Sequence, residues 1–386
     1  MRVVMVGPFG LHPRGTMAVR ALPMAQALAA RGHAVTMLLP PWQTPEEAGL
    51  RWEEEGVAIE NIPLPPPIPG LFHLHTALRL VRRALSLRPD VVHLFKPKAY
   101  SGLAHWLLDR LPRRRRPRLV VDTDDWEGPG GWNDLAPYTP VQRAFFAWQE
   151  RWGLTHADGV TVASRTLESL VWSLGVPPSR VFYIPNGVRP ATCDRRNSAR
   201  RVPCILLYTR FFEFPVSRVL EVLRRVRERM PEIRLLVVGK GLFGEEEELL
   251  QEARQAGLDE AVEYAGWVKP EELPTYFAQA ALAIYPFDDT LVNRTKCPVK
   301  LLELLAAGVP VVAEGVGEIR EVIHHGETGW LVEPGDIERF SEAVAHLLEE
   351  TPLRERMGQA AARDVRARRS WDQLVEHVER SWYTMG

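Results

Sequence analysis

Short apolar, β-branched runs alternate with longer amphipathic stretches along the whole chain. Arg2–Val6 is such a run, stopped by Gly7-Pro8, the pattern of a buried parallel strand feeding a turn. An Ala/Leu-rich stretch over roughly 17–31 predicts a helix closed by Gly32, with Pro23 inside it requiring a late start or a kink. Residues 34–39 read as a second strand, completing a βαβ unit. The rhythm continues with helices near 71–86, 101–109, 141–152 and 167–174 and strands at 91–95, 118–121, 159–162 and 181–184.

At Asn186-Gly187 the pattern stops. Residues 189–201 are polar and rich in Arg, as an interdomain linker would be. A second series then begins, with strands at 204–208, 234–238, 262–264, 282–285 and 310–312 and a helix over 217–229. The pattern divides the chain into a first domain 1–188, a linker 189–203, a second domain 204–369 and a final helix 370–386. Ser370 and Gln373 form a capping box for that helix, and Trp371, Val375, Val378 and Trp382 share one face. The stripe docks either on the first domain or on the helix's own. The expected fold is α/β, with two doubly wound Rossmann-like domains facing a central cleft.

Composition narrows the function. A chain of 386 residues suits two domains of about 190 each. Hydrophobic residues at 46% and charged residues at 25% are ordinary for a globular protein. Lys+Arg number 48 against 49 Asp+Glu, so no global field favours nucleic acid. Cys193, Cys204 and Cys297 have no CxxC spacing and no disulfide framework, which points to a reducing compartment. No apolar run reaches the roughly 18 residues of a membrane span, and the amino terminus lacks a signal-peptide core. The expected location is cytoplasmic.

Ligands in doubly wound domains sit beyond the carboxyl ends of the strands, so the loops there hold the candidate chemistry. The first, Gly7 to Thr16, brings Gly15 and His12 before a helix, where exposed amides attract anions. Its glycine spacing is not that of a dinucleotide fold, and no acidic residue ends the second strand. The second, Asp122-Thr-Asp-Asp-Trp-Glu127, offers carboxylates as general bases, hydroxyl acceptors or metal ligands, with Trp126 as a sugar-stacking surface or a core anchor. His93 and Lys96 follow from the preceding strand. The third runs from Asn293 to Ala313 as loop, helix, Gly stop and strand. Pro298 suits the first helical turn, and Asn293 or Thr295 a cap. Arg294, Lys296 and Lys300 surround the helix start as a pyrophosphate cradle, with Glu303 one turn on for ribose hydroxyls.

The block Lys300–Ala313, followed by Gly317, Glu321-Val-Ile and Gly326-Glu-Thr-Gly-Trp-Leu-Val-Glu-Pro-Gly-Asp336, resembles the carboxy-terminal signature of family 4 glycosyltransferases of the GT-B fold. Gly7 to Gly15 with Leu28–Val35, then Ile184–Val188, Val238–Gly241 and Gly266–Val268, are similar to other parts of that family, so the likeness spans nearly the whole chain. The family's Glu-x7-Glu motif holds the donor. Its second Glu matches Glu303, while its first falls on Thr295. Of the Arg and Lys that grip the diphosphate, Arg210 matches the first and Pro215 stands at the second, with Lys296 and Lys300 as replacement charge.

The resemblance implies transfer of a sugar from a nucleotide-diphosphate sugar with retention of configuration, with no metal and no further cofactor. It implies donor contacts from Gly15, Arg210, Gly239, Val268, Lys296, Lys300, Glu303 and Glu321. Asp124, Asp125, Arg210 and Lys300 are the expected catalytic residues, and His12, His93, Asp125 and Trp126 lie on the acceptor side. The acceptor is left open between a glycan, a lipid-linked hydroxyl and a small molecule. The basic segments Arg113–Arg118 and Leu78–Leu85 read either as solvated faces or as peripheral contacts with the inner face of a membrane. The rivals are an epimerase or phosphorylase on the same fold, a non-catalytic binding protein with a decayed donor site, and a NAD-linked oxidoreductase.

Overall fold

Eight strands build the first sheet: β1 (Arg2–Val6), β2 (Ala34–Leu39), β3 (Arg51–Glu54), β4 (Val57–Asn61), β5 (Val91–Phe95), β6 (Arg118–Thr123), β7 (Gly159–Val162) and β8 (Val181–Tyr183). Their order is β3-β4-β2-β1-β5-β6-β7-β8, all parallel except β3 against β4. Helices cover both faces of a parallel sheet, which is why β1, β5 and β7 read as continuous apolar runs. The β3-β4 hairpin carries no such signal, because the sequence Arg-Trp-Glu-Glu is a charged edge strand that alternates between exposed and half-buried.

The computed structural model describes residues 1–13, 15–68, 71–189 and 203–383. The chain forms two compact units. Unit 1 comprises Met1–Gly187, Thr295–Cys297 and Trp371–Gly386; unit 2 comprises Val188–Arg294 and Pro298–Ser370. Nearly all of the expected linker, with Cys193, lies outside the described residues.

Right-handed crossovers decide which face each helix of unit 1 covers. The connection β1 to β2 runs one way along the sheet and those from β4 through β7 run the other. Helix Leu22–Ala30 therefore takes one face, and Leu71–Ser86, Ala99–Asp109 and Pro140–His156 take the opposite one, packed in that succession. A π turn, Met17–Ala21, leads into Leu22–Ala30. Pro23 falls in the first α-helical turn, where its missing N–H leaves no bond unmade.

Unit 2 holds six parallel strands: β9 (Cys204–Thr209), β10 (Arg234–Gly239), β11 (Val262–Gly266), β12 (Ala280–Tyr285), β13 (Val311–Glu314) and β14 (Trp330–Val332). Their order is β11-β10-β9-β12-β13-β14. Its core packs Val219, Leu223 and Val226 of helix Val216–Arg229 with Phe340, Val344 and Leu347 of helix Ile337–Glu349 against β9, β10 and β12. In each sheet the strand order reverses beside the first strand, at β1/β5 and at β9/β12. These switch points open a crevice at the carboxyl ends of the strands.

The final helix, Trp371–Tyr383, belongs to unit 1 and packs on Leu22–Ala30. Trp371, Leu374, Val375 and Val378 enter the core that contains Val3, Met5 and Leu28. Glu379 anchors the helix by accepting from Arg31 at 2.9 Å, and it lies 3.0 Å from His33. The Trp382 side chain lies outside the described residues. Leu374→Ala is expected to cost about 2–5 kcal/mol through the cavity it leaves. Urea unfolding measures this, and an unchanged midpoint would show that the helix is not part of the core.

Candidate functional site

The switch point of unit 1 is organised from beneath by a buried arginine that sequence reasoning did not single out. Arg20, on the π turn, is fully buried. Its Nε and Nη2 donate to the Asp122 carboxylate at 2.8 and 2.7 Å, and Nη2 also donates to the Ile184 carbonyl at 2.9 Å. Its Nη1 reaches Asn186 Oδ1 at 3.0 Å. Thr161 donates to Asp122 at 2.6 Å. Burial alone would raise the Asp122 carboxyl, but the Arg20 guanidinium outweighs it and holds the group below the ordinary carboxylate range. Asp122 thus stabilises the fold above the ordinary carboxylate pKa, and that stabilisation is lost as acid titrates the folded group.

Asn186 extends the network. Its backbone N–H meets Cys297 Sγ at 3.2 Å, and its side-chain amide donates to the Cys297 carbonyl at 2.7 Å. Ser164 donates to the Thr295 carbonyl at 2.7 Å. These bonds hold the segment Thr295–Cys297 within unit 1.

Above this frame lies a cluster of alternating charge. Lys96 follows β5 with φ at +51°, a left-handed conformation uncommon for a side chain with a Cβ. That turn brings its Nζ to 2.6 Å from Asp125, 3.3 Å from Asp124 and 3.8 Å from Glu127. Lys98 Nζ sits 2.5 Å from the other Glu127 oxygen. Thr16, at the start of the π turn, donates to Asp124 Oδ2 at 2.6 Å. Lys296 lies 5.3 Å from the Trp132 ring centre, and its charge acts on Asp125. Burial pushes the Asp124 carboxyl up to about 6 against the pull of Lys96, whereas Lys96 outweighs burial at Asp125 and lowers it. Beneath the cluster Glu150 takes the Glu127 N–H at 3.0 Å, and burial raises its carboxyl well above the ordinary range.

Several expectations for unit 1 change on this geometry. Asp122 and Thr123 complete β6 and are buried, so the loop proper starts at Asp124. His93 is fully buried in β5, 3.1 Å from Thr161, and burial lowers it to about 4; it has no surface to offer an acceptor. Trp126 is only 9% exposed, and its indole donates to the Pro129 carbonyl, so it anchors the loop rather than presenting a stacking face. His12 is exposed, 2.9 Å from Glu47. Gly15 accepts the first amides of the π turn, from Ala18 and Val19. An ammonium occupies the centre of the acidic cluster, where a metal ion would have to sit. Among the described residues no group of His, Cys, Asp and Glu has the form of a metal site.

In unit 2 the candidate site forms at β9/β12. Tyr208, near the end of β9, donates to Glu303 Oε2 at 3.0 Å, and Lys300 Nζ lies 3.5 Å from the centre of the Tyr208 ring. Lys300 and Glu303 come from helix Val299–Ala306, whose amino-terminal end adds positive potential. Gly239 closes β10 with φ at +133°, and a Cβ there would lie 2.0 Å from the Thr209 carbonyl oxygen. Tyr264 donates to the Gly239 carbonyl at 3.1 Å. Arg210 is exposed directly after β9, Val268 is buried after β11, and Glu321 is exposed on the short helix Ile319–Val322.

The third loop also differs in detail from its sequence reading. Asn293 and Thr295 lie in a short helix, Leu291–Thr295, and Pro298 is the cap residue of the next helix rather than its first turn. Asn293 instead pins the loop by donating to the carbonyls of Glu213 and Asp288 at 2.9 and 3.0 Å. Arg294 is paired with Asp289, at 2.6 Å for one of its bonds. Thr295 is buried, and Lys296 belongs to unit 1 rather than to the domain 204–369 in which its sequence position placed it. Pro215 caps helix Val216–Arg229.

Residues 15–187 match the family described as glycosyl transferase 4-like domain, and residues 203–350 match glycosyl transferases group 1. A phosphatidyl-myo-inositol mannosyltransferase of Mycobacterium leprae is 27% identical, over 100% of this chain and 97% of its own. A GDP-mannose-dependent alpha-mannosyltransferase of Mycobacterium tuberculosis is also 27% identical, over 98% and 96%. Among solved structures, sucrose-phosphate synthase from Thermosynechococcus elongatus shares the fold with a TM-score of 0.75 at 19% identity, over 98% of each chain. Anabaena HepE in complex with UDP and glucose does so with 0.71 at 17%, over 97% and 98%. The chain belongs to the family 4-like glycosyltransferases of the GT-B fold, and it is a glycosyltransferase.

Arg20→Met leaves Asp122 buried without its counter-charge and is expected to cost about 3–5 kcal/mol. The double variant Arg20→Met/Asp122→Leu is expected to lose clearly less than the sum of the two single changes. Urea unfolding of the four proteins measures the coupling, and additive losses would refute it.

Proposed function

We propose that the protein transfers a hexosyl group from a nucleotide-diphosphate sugar to an acceptor hydroxyl with retention of anomeric configuration. The observation that carries this reading is the Lys300–Tyr208–Glu303 group at the switch point of unit 2. A carboxylate one helical turn beyond a lysine matches a ribose and a diphosphate in order. Lys300, exposed Arg210 and the amides of helix Val299–Ala306 supply positive charge for the leaving diphosphate. Gly239, at the end of β10, and Val268, after β11, are further donor contacts in this reading, and Glu321 supplies a further carboxylate for donor hydroxyls. The relatives support a GDP-linked donor, since several are named as GDP-mannose-dependent. No cofactor beyond the nucleotide sugar is part of this proposal.

Unit 1 holds the acceptor in this reading. The acceptor oxygen attacks the anomeric carbon as the bond from that carbon to the diphosphate oxygen breaks. The hydroxyl proton passes to the departing phosphate oxygen, so no strong protein base is required. Asp124, fixed by Thr16 and Lys96, orients the acceptor hydroxyl by accepting its hydrogen bond. Asp125 is held ionised by Lys96 and steadies the same site. Lys296, through its interaction with Asp125, acts here as a cluster residue. The acceptor is a carbohydrate or a lipid-linked hydroxyl, and names among the relatives that specify phosphatidylinositol acceptors support the lipid-linked form. Peripheral contact with the inner face of a membrane belongs to this reading, and among the described residues no helix is long and apolar enough to cross one.

The anomeric coupling of the product, read by proton NMR, tests retention; an inverted product refutes it. The raised Asp124 carboxyl gives a second test. The ionised form is much the stronger acceptor of the hydroxyl bond, so kcat/KM is expected to rise with pH and level off above about 6. In Asp124→Asn that acidic limb is expected to vanish and the rate to fall by about 10–100-fold. An unchanged limb would remove Asp124 from the acceptor site.

A further inference from the structure

Helix Pro140–His156 carries a column of aromatic rings on the solvent side of unit 1. Phe145 and Trp148 lie 5.8 Å apart at 25°, Trp148 and Trp152 6.2 Å apart at 28°, and Trp152 and His156 4.5 Å apart at 16°. Val141 is 79% exposed, Trp148 43% and Phe145 39%. A surface of this kind is more than scattered exposed apolar residues and marks a binding face.

Its occupant follows from charge, apolar exposure and position. The helix exposes Arg143 and Arg151, and its one acidic residue, Glu150, is buried. The helix Leu71–Ser86, on the same face of the sheet, has no acidic residue, exposes Leu71 and Leu74 at its start and carries Arg79 and Arg82, while its Arg83 is paired with Glu60. The chain as a whole is near neutral, so this face is locally basic. Neighbouring rings of the column are inclined to each other by no more than 28°, and Phe145 and Trp148 keep over a third of their surface exposed. Exposed aliphatic and aromatic side chains flanked by guanidinium groups on one helix suit the headgroup layer of an anionic bilayer.

Position links the column to the site. Helix Pro140–His156 starts at the carboxyl end of β6, so its apolar first half stands on the rim that carries Asp124 to Glu127. Lys98, bound to Glu127, lies 4.6 Å from the Tyr138 ring centre and 4.9 Å from that of Phe146, which in turn packs beside Phe145. We infer that the Val141–Phe145–Trp148 face of this helix is a docking surface for an anionic lipid bilayer, which delivers an amphiphilic acceptor to the adjoining acidic cluster. This deepens the lipid-linked-acceptor reading and rests on it.

Co-sedimentation of the full chain with vesicles of phosphatidylcholine alone, or with added phosphatidylglycerol, tests the assignment. The wild type is expected to pellet with the anionic vesicles. Phe145→Ser/Trp148→Ser is expected to weaken partitioning by about 10-fold or more, in proportion to the apolar area removed. Arg143→Ser/Arg151→Ser is expected to reduce the dependence on phosphatidylglycerol. Hydrolysis of a soluble nucleotide sugar is expected to be unchanged in both variants. Failure of the wild type to bind either vesicle, or full binding by the aromatic variant, overturns the inference. So does retardation by soluble dextran that the aromatic variant loses, which would assign the column to a glycan. Vesicle binding without nucleotide-sugar turnover would instead overturn the proposed reaction and leave the surface standing.

Discussion

In unit 1 a guanidinium with no exposed surface lies against a carboxylate with none, and the rest of the site is built outward from that pair. Arg20 and Asp122 are removed from water at a desolvation cost of several kcal/mol per ion, which their mutual attraction and their further hydrogen bonds offset. The partners are widely separated in sequence: Asp122 and Thr161 in β6 and β7, and Ile184 and Asn186 just beyond β8. The pair therefore fixes the π turn, two neighbouring strands and the segment past the last strand of unit 1. Thr16 begins that turn, Asp124 lies two residues beyond Asp122, and Lys296 adjoins the Cys297 that Asn186 holds. A shift of the pair would move all three.

Unit 2 is assembled on the same principle with different residues. Glu314, fully buried at the end of β13, accepts from Arg218 at 2.7 Å, from the Phe287 amide at 2.6 Å and from the Gly335 amide at 2.7 Å. It thereby ties the loop after β12, which leads into helix Val299–Ala306, to the helix after β9. Lys300, Tyr208 and Glu303 stand on elements held in this way. In both units a buried charge is fully partnered, while the groups proposed to meet substrate are left partly solvated at the strand ends.

The fold was legible because its signals are local. The apolar runs of β1, β5, β9 and β10, two of them stopped by Gly7 and Gly239, mark buried strands without any knowledge of tertiary structure. The charged hairpin strand β3 lacks that signal, since an edge strand needs no apolar run. The site was legible only in part. Lys300, Glu303 and Asp124 could be chosen because they follow strands and precede or begin helices. Arg20 could not be found: on a helix rich in Ala and Leu its sequence position looks like a surface arginine, and only the fold brings it to Asp122. His93 misled for the complementary reason, since a histidine in a strand looks the same whether its ring meets ligand or a buried threonine. The assignment of Thr295–Cys297 to unit 1 depends on hydrogen bonds to Ser164 and Asn186, which lie over a hundred residues away.

The central claim is that the Lys300–Tyr208–Glu303 group receives a nucleotide-diphosphate sugar. Isothermal titration of the intact protein with GDP-, UDP- and ADP-hexoses tests it most directly, with Glu303→Ala and Lys300→Met as comparisons. Saturable binding of one donor is predicted, weakened by about 1.5–3 kcal/mol when either charged contact is removed. A folded protein that binds none of these donors, or variants that bind as tightly as the wild type, would contradict the account.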